Sequence, residues 1–376
     1  MKFLHTSDWQ IGMKGSGLGE AGPIVREARI ESAQGVLSMA KAEGADFLLL
    51  CGDIFEHNMV SQEEVKKIIR AFNEYDEIPI FLLPGNHDAL GPGCVYNRDI
   101  FRNIAHLHIL DSAEPVTVGD AVLHPCPVFA RTTRHDSTEG IPDVHEFDGV
   151  HIGVAHGSLV GRFPVAEWEG VDLPINPSCV ERTGIDYLAL GHWHSQRIFE
   201  DRTGILRLAY CGTHEQTEYS EDDAGCCLLV TIDEKGATPT LRPLESGHLK
   251  WRSVEFAMKD ASSLQELREL LNALRGVDMV RLSLNGELPL SSKDEFDKLL
   301  QSEELKKHRN LRVESRSMRI VEPFSEDTAV DTGDPTLNLT DARLRQQLAD
   351  EVDPTKRMII AEAITRLQVF AKEAEE

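Results

Sequence analysis

The side chains in this sequence that could act together chemically fall in five short motifs. In order they are Asp8-Trp9-Gln10, Gly52-Asp53, Gly85-Asn86-His87-Asp88, His156-Gly157 and Gly191-His192-Trp193-His194. They pool carboxylates, carboxamides and imidazoles, the mixture that holds divalent cations. Hydrolysis of a phosphodiester needs an activated water, neutralised phosphate oxygens and help for the leaving group. Two ions ~3.5–4 Å apart supply the first two together. A carboxylate shared by both ions keeps that spacing, and Asp53 is the natural candidate. Asp8 and Gln10 are two apart at a strand end, so alternation predicts that both point to one side, and the same spacing serves His192 and His194. Asn86 offers a neutral oxygen and His156 an imidazole. Such a donor set suits manganese, iron or zinc better than calcium or a largely hydrated magnesium. His87 lies between a ligand-type residue and Asp88. It reads as a proton donor or phosphate contact, with Asp88 orienting its ring. Taken singly, Gly52-Asp53 is an ordinary turn and His156 an ordinary strand-end histidine; the five in series carry the reading.

Something must bring these motifs together, and the pattern supplies it. Apolar strands precede every one: Lys2–Thr6, Ala45–Cys51, Ile78–Leu83, Val150–Ala155 and Tyr187–Leu190. Ligand sites gather beyond the carboxyl ends of strands in α/β sheets. Ile24–Glu43 is predicted helical, with Val25, Ala28, Ala33, Val36, Leu37 and Ala40 on its buried face. Leu206–Tyr210 and Cys226–Asp233 add strands, so the first 249 residues read as two packed mixed sheets flanked by helices. From Lys250 the order becomes β-α-β-α-β. Trp251–Phe256, Val280–Leu284 and Leu311–Ser315 are extended, with helices after a Ser263/Glu266 capping box and over Ser292–Gln301. The first of those helices is expected to end at Gly276. Pro323–Pro335 reads as a polar linker. Thr340–Val352 and Pro354–Ala374 read as two closing helices, the second starting from Asp353-Pro354 with Ile360, Ile364, Leu367 and Ala371 on one face.

Composition narrows the classes further. No apolar run is long enough for a membrane span and the first residues lack a leader-like segment, so a cytoplasmic protein is expected. Seven cysteines without C-x-x-C spacing are expected to be reduced thiols. A net charge of −24 argues against a polyanionic partner only on average. Lys250–Ile320 holds 14 Lys and Arg against 12 Asp and Glu, while the remainder holds 25 against 51. Within it, Lys306, Lys307, Arg309, Arg312, Arg316 and Arg319 face Glu314 alone, a candidate phosphate-binding stretch. His5, Arg131, Arg134 and His135 lie near the motifs and read equally well as ordinary strand or surface residues, whereas Glu56 and His57 read better as a solvated turn than as a DNA contact.

The series resembles the calcineurin-like metallophosphoesterase superfamily, with its D-x-H, G-D, G-N-H-D/E, H and G-H-x-H pattern. The likeness covers about two thirds of the chain. Phe3-Leu4-His5-Thr6-Ser7-Asp8-Trp9 and Cys51-Gly52-Asp53-Ile54-Phe55 resemble, more narrowly, the SbcD-type DNA repair exonucleases. That resemblance implies a phosphoesterase sandwich of two mixed sheets over 1–249 and a capping, DNA-contacting domain over 250–322. A linker over 323–339 and a helical ATPase-docking segment over 340–376 would follow. It implies two Mn2+ ions, with Mg2+, Fe2+ or Zn2+ as substitutes. One would be held by Asp8, Gln10, Asp53 and His194, the other by Asp53, Asn86, His156 and His192. His87 would assist the leaving group, DNA would be the substrate, and an SbcC-type SMC-like ATPase and a second copy of the chain would be partners. Gln10 departs from the pattern, standing where the superfamily has histidine. The competing readings are a phosphatase or small-molecule phosphodiesterase, and a non-catalytic scaffold whose metal site has degenerated through Gln10.

Overall fold

The computed structural model describes residues 1–162, 172–221, 223–274, 277–302, 305, 308, 310–321 and 333–375. They divide into two compact units, Met1–Leu249 and Lys250–Glu376.

In the first unit the chain runs β1 (Lys2–Thr6), α1 (Gly22–Ala42), β2 (Phe47–Cys51), α2 (Gln62–Glu74), β3 (Ile80–Leu83), α3 (Asp99–Arg102) and β4 (Leu107–Ile109). It continues through β5 (Val116–Val118), β6 (Ala121–Cys126), β7 (Val150–His156), β8 (Ser158–Leu159), β9 (Pro174–Ile175) and α4 (Cys179–Thr183). The last strands are β10 (Tyr187–Gly191), β11 (Arg197–Glu200), β12 (Leu206–Tyr210), β13 (Cys226–Thr231) and β14 (Thr240–Glu245). Two six-stranded sheets result, ordered β14-β13-β1-β2-β3-β4 and β11-β12-β10-β7-β6-β5. In the first sheet β1 to β4 run parallel and β13 and β14 close one side antiparallel; in the second the central strands are parallel and an antiparallel strand closes each edge.

Burial explains the layering. β2 and β3 are apolar on both faces, as strands covered on both sides must be. Phe3, Phe47, Leu49, Phe81 and Leu83 meet Leu123, Ile152, Val154, Tyr187 and Ala189 of the other sheet. Phe47 stacks on Phe3 with ring centroids 4.9 Å apart and takes Phe81 edge-on. The opposite face of the first sheet packs Leu4, Leu48 and Leu50 on Val36 and Leu37 of α1 and Ile68 and Phe72 of α2. Behind the second sheet lie Val180, Ile185, Leu188, Leu190 and Tyr210. The six residues assigned from sequence to the inner face of α1 are all buried. All seven cysteines are buried and free. Among the described residues no helix is long and apolar enough to cross a membrane.

The second unit has the predicted order: β15 (Trp251–Met258), α5 (Ser263–Ala273), β16 (Met279–Pro289), α6 (Lys293–Leu300) and β17 (Asn310–Val321). Its three strands are parallel, ordered β15-β16-β17. Leu264, Leu267 and Leu271 of α5 and Phe296 and Leu299 of α6 pack on Leu282, Leu284 and Leu288. The Ser263/Glu266 capping box does not form. Ser263 Oγ instead accepts the Lys259 and Asp260 amides, so it serves the turn entering the helix. Gly276, the expected helix stop, lies outside the described residues. Two helices close the unit, α7 (Pro335–Asp350) and α8 (Pro354–Glu375), packed on each other. α8 begins from an Asp353 cap, which accepts the Thr355 and Lys356 amides. α7 starts five residues before the predicted Thr340, because Asp334 caps it by accepting the Thr336 and Leu337 amides.

Candidate metal centre

Three motifs leave the carboxyl ends of β1, β2 and β3 in one sheet, and two leave β7 and β10 in the other. The rims are tied directly. His156 Nδ1 donates to the Cys51 carbonyl at 2.9 Å, and the His192 amide to the Asp8 carboxylate at 3.0 Å. Glycines permit the approach: a Cβ on Gly52, whose φ is 92°, would overlap the His156 ring, and one on Gly85 the Asp53 carboxylate.

Strand alternation does not aim Asp8 and Gln10 as predicted. β1 ends at Thr6, and both residues take left-handed backbone, with φ of 55° and 41°. Asp53 (54°) and His192 (102°) do likewise. Of the six non-glycine residues with positive φ among the described residues, four are ligand-type members of this site. Such conformations cost about 1–3 kcal/mol each and gather at functional sites. Their support is visible. The Asp8 and Gln10 amides pair with the carbonyls of Gly52 and Asp53. Arg29, fully buried in α1, donates to the carbonyls of Asp8 (2.8 Å), Trp9 (2.7 Å) and Glu215 (2.7 Å).

Seven side chains assemble. Asp53, His156 and His192 present ligand atoms within 4.8 Å of one another. Asn86 Oδ1 joins them, 2.9 Å from His156 Nε2 and 3.2 Å from His192 Nδ1, with Asp53 Oδ2 at 3.3 Å from His156 Nε2. Beside them Gln10 Nε2 lies 3.0 Å from His194 Nε2. The Asp8 carboxylate accepts the Ser7 hydroxyl at 2.5 Å and the His192 amide at 3.0 Å. The His87 amide donates to Asp53 Oδ1 at 2.8 Å, which fixes the central carboxylate from its other side.

Electrostatics match a cation site. Burial opposes ionisation of Asp53, yet the neighbouring His156 holds its carboxyl down to about 2 and is itself lifted to about 9. Burial, reinforced by the His156 charge, drives His192 down to about 3, which keeps its ring neutral and its lone pair available. The donor set is two carboxylates, two carboxamides and three imidazoles, all buried or half-buried. It fits divalent ions, which would meet oxygen and nitrogen donors in the proportions manganese, iron and zinc accept.

Asp88 does not orient His87. Its buried carboxylate accepts the Gly85 amide (2.7 Å), the Phe55 amide (3.0 Å) and the Tyr96 hydroxyl (2.5 Å), and so holds the Gly-Asn-His-Asp turn in shape. Burial and Asp53 together push it up to about 6. His87 Nδ1 donates to the Glu56 carbonyl at 2.9 Å, leaving Nε2 for proton transfer. Sequence reasoning thus set Glu56 aside although its backbone carries the role given to Asp88. His5 is structural: Nδ1 faces the Tyr187 hydroxyl (3.0 Å) and Nε2 the Leu190 carbonyl (3.1 Å). Arg131, Arg134 and His135 are all exposed at the surface. Of the basic stretch, Arg312, Arg316 and Arg319 lie on β17, while Lys306, Lys307 and Arg309 lie outside the described residues.

A two-sheet sandwich with this donor set at its joined rims defines a metallophosphoesterase. A family model for calcineurin-like phosphoesterases matches residues 1–196, and the chain belongs to that family. A curated relative, the "Uncharacterized metallophosphoesterase YhaO" of Bacillus subtilis (strain 168), is 24% identical over 340 residues, spanning 82% of this chain and 79% of the relative. Among solved structures, TT1561 of Thermus thermophilus aligns with a TM-score of 0.43 at 12% identity, over 65% of this chain and 98% of that one.

Proposed function

We propose that this chain is a two-metal DNA nuclease, the SbcD-like subunit of a double-strand-break repair complex. Asp53, Asn86, His156 and His192 would hold one ion, and Asp8, Gln10, Asp53 and His194 the other. The bound pair, manganese by preference, supplies Lewis-acid activation of water and neutralisation of phosphate charge. His87, held by the Glu56 carbonyl and hydrogen-bonded through its own amide to Asp53, donates a proton from Nε2 to the departing 3′ or 5′ oxygen. The observation that carries DNA over smaller esters is the separate β-α-β-α-β unit after the phosphoesterase core. It carries Arg312, Arg316 and Arg319 on its last strand, in a chain of net charge −24.

Cleavage of end-labelled duplex and hairpin DNA in Mn2+, compared with a chromogenic phosphodiester, tests this reading. DNA cleavage that falls by about 10²–10⁴ in His87→Ala is the expected result. Hydrolysis of the small ester alone would replace the nuclease with a small-molecule phosphodiesterase, and no hydrolysis of either would leave a scaffold.

The proposed partners are an SMC-like ATPase docked on the C-terminal helices and a second copy of the chain. The stripe read from sequence is partly used internally, since Ile364 is fully buried. Among the described side chains of this segment, the large apolar ones left to solvent are Leu339 on α7, Val352 between the helices, and Ile359 and Phe370, eleven residues apart and so on one face of α8. Truncation after Glu322 should abolish ATPase co-purification and spare nuclease activity; loss of both would assign the helices to core stability.

A further inference from the structure

Behind His194 stands a carboxylate outside all five motifs and beyond residues 1–196. Glu221, in the loop between β12 and β13, places Oε1 2.6 Å from His194 Nδ1. The carboxylate is itself fixed. Oε2 accepts the Thr217 amide at 2.6 Å and the Glu218 amide at 3.1 Å, and Oε1 the Thr217 hydroxyl at 2.9 Å. Its side chain is 8% exposed, whereas the imidazole it supports is 26% exposed.

A carboxylate accepting at Nδ1 pins the proton there, so Nε2 bears the lone pair. The far side of the ring agrees, because the Gln10 amide nitrogen faces Nε2 at 3.0 Å as a donor facing an acceptor. A half-turn of the Gln10 amide about its terminal bond would present its oxygen on the same side as that lone pair. His156, by comparison, is backed at Nδ1 only by the neutral Cys51 carbonyl. Of these two imidazoles, the one backed by a buried carboxylate is therefore the one whose neighbour is a carboxamide standing in the place of a second imidazole.

We propose that Glu221 is a positioning residue for the metal position of Asp8, Gln10, Asp53 and His194. It presents Nε2 of His194 to the ion and strengthens its electron donation, which offsets the weaker donor at Gln10. The proposal rests on the two-ion reading of the site and not on the choice of substrate.

Calorimetric Mn2+ titration of the chelator-stripped full chain, with unbound Mn2+ counted by its EPR signal, tests it. Wild type should take up two equivalents. Glu221→Gln should weaken one of them by about tenfold to a hundredfold, the range for loss of such a supporting partner. The other equivalent and the melting temperature in chelator should stay at wild-type values. Unchanged affinities, or equal weakening of both equivalents with a lower melting temperature, would overturn the proposal. Fewer than two equivalents on wild type would overturn the two-ion reading instead. Should Glu221→Gln not fold, Thr217→Val decides the matter, since it removes only a hydroxyl that holds the carboxylate. Weakening confined to one equivalent supports the proposal, and no weakening overturns it.

Discussion

Replacing Arg29 with methionine should unlock the Asp8–Gln10 turn while leaving every ligand side chain in the sequence. The guanidinium is 1% exposed and spends its donors on backbone carbonyls of two loops, with a fourth bond to Thr213 Oγ1 at 3.2 Å. Burial lowers its pKa to about 10, so it remains charged at neutral pH. Hydrogen bonds from a charged donor contribute ~1.5–3 kcal/mol each. The Asp8 and Glu215 carbonyls keep the Thr213 hydroxyl as a second neighbour, and the buried charge also leaves. The net loss is set at about 3–5 kcal/mol, because the Trp9 carbonyl loses its donor and the facing carboxylates of Glu221, Glu215 and Asp8 lose a buried counter-charge. That is comparable to the strain of two left-handed residues, together about 2–6 kcal/mol, so the turn should relax. Hydrogen exchange reads this at the Asp8 and Gln10 amides, which pair with the Gly52 and Asp53 carbonyls. Arg29→Met should lose protection there and weaken one Mn2+ equivalent, and Arg29→Lys should fall between, lacking the planar fork. Wild-type protection and Mn2+ affinity in Arg29→Met would refute the reasoning and show the turn to be self-supporting.

Two other changes follow from the same geometry. Gln10→His should lower the Mn2+ concentration for half-maximal activity by roughly an order of magnitude, the scale on which one ligand's surroundings move metal affinity; no shift would show that the carboxamide is not limiting. His5 should contribute an acid-sensitive share of stability. Burial, only partly opposed by the Leu190 carbonyl, holds it near 3 against 6.5 unfolded. The unfolded chain therefore binds the extra proton between those values. The contribution is whole above pH 6.5 and is lost as pH falls, by about 1.4 kcal/mol between pH 7.5 and 5.5. In chelator, urea midpoints of His5→Gln should lack that increment of pH dependence; identical pH dependence in the two proteins would show that His5 is protonated when folded.

Apolar runs and helical stripes made the frame legible. The strands Phe47–Cys51 and Ile80–Leu83 lie within the runs read from sequence, each starting two residues later, and the second unit has the expected element order. The motifs likewise named the ligand-type side chains that converge. What periodicity could not show was backbone hand. Asp8, Gln10, Asp53 and His192 are aimed by positive φ, which leaves no compositional trace at non-glycine positions. Arg29 reads as a solvated helix charge until the loops whose carbonyls it holds are folded against it. Glu221 sits in an acidic stretch where nothing sets one carboxylate apart. The start of α7 was a different kind of miss. Asp334-Pro335 carries the same cap and first-turn signal as Asp353-Pro354, and the polar linker around it masked the reading.

The spacing between the two ligand groups is then a property of sheet packing as much as of the loops. Asp8, Gln10, Asp53 and Asn86 ride on one sheet, and His156, His192 and His194 on the other. Leu49, Leu83, Val154 and Ala189 fill the layer between them. At the rim the sheets approach so closely that a Cβ on Gly191 would overlap the Cys51 carbonyl, the same carbonyl that takes the His156 Nδ1 proton. A side chain at Gly191 would therefore reach the metal centre through that carbonyl. It would push the imidazoles of one sheet away from the carboxylates of the other, and would crowd the His156 ring directly, with Cβ 2.8 Å from Nδ1.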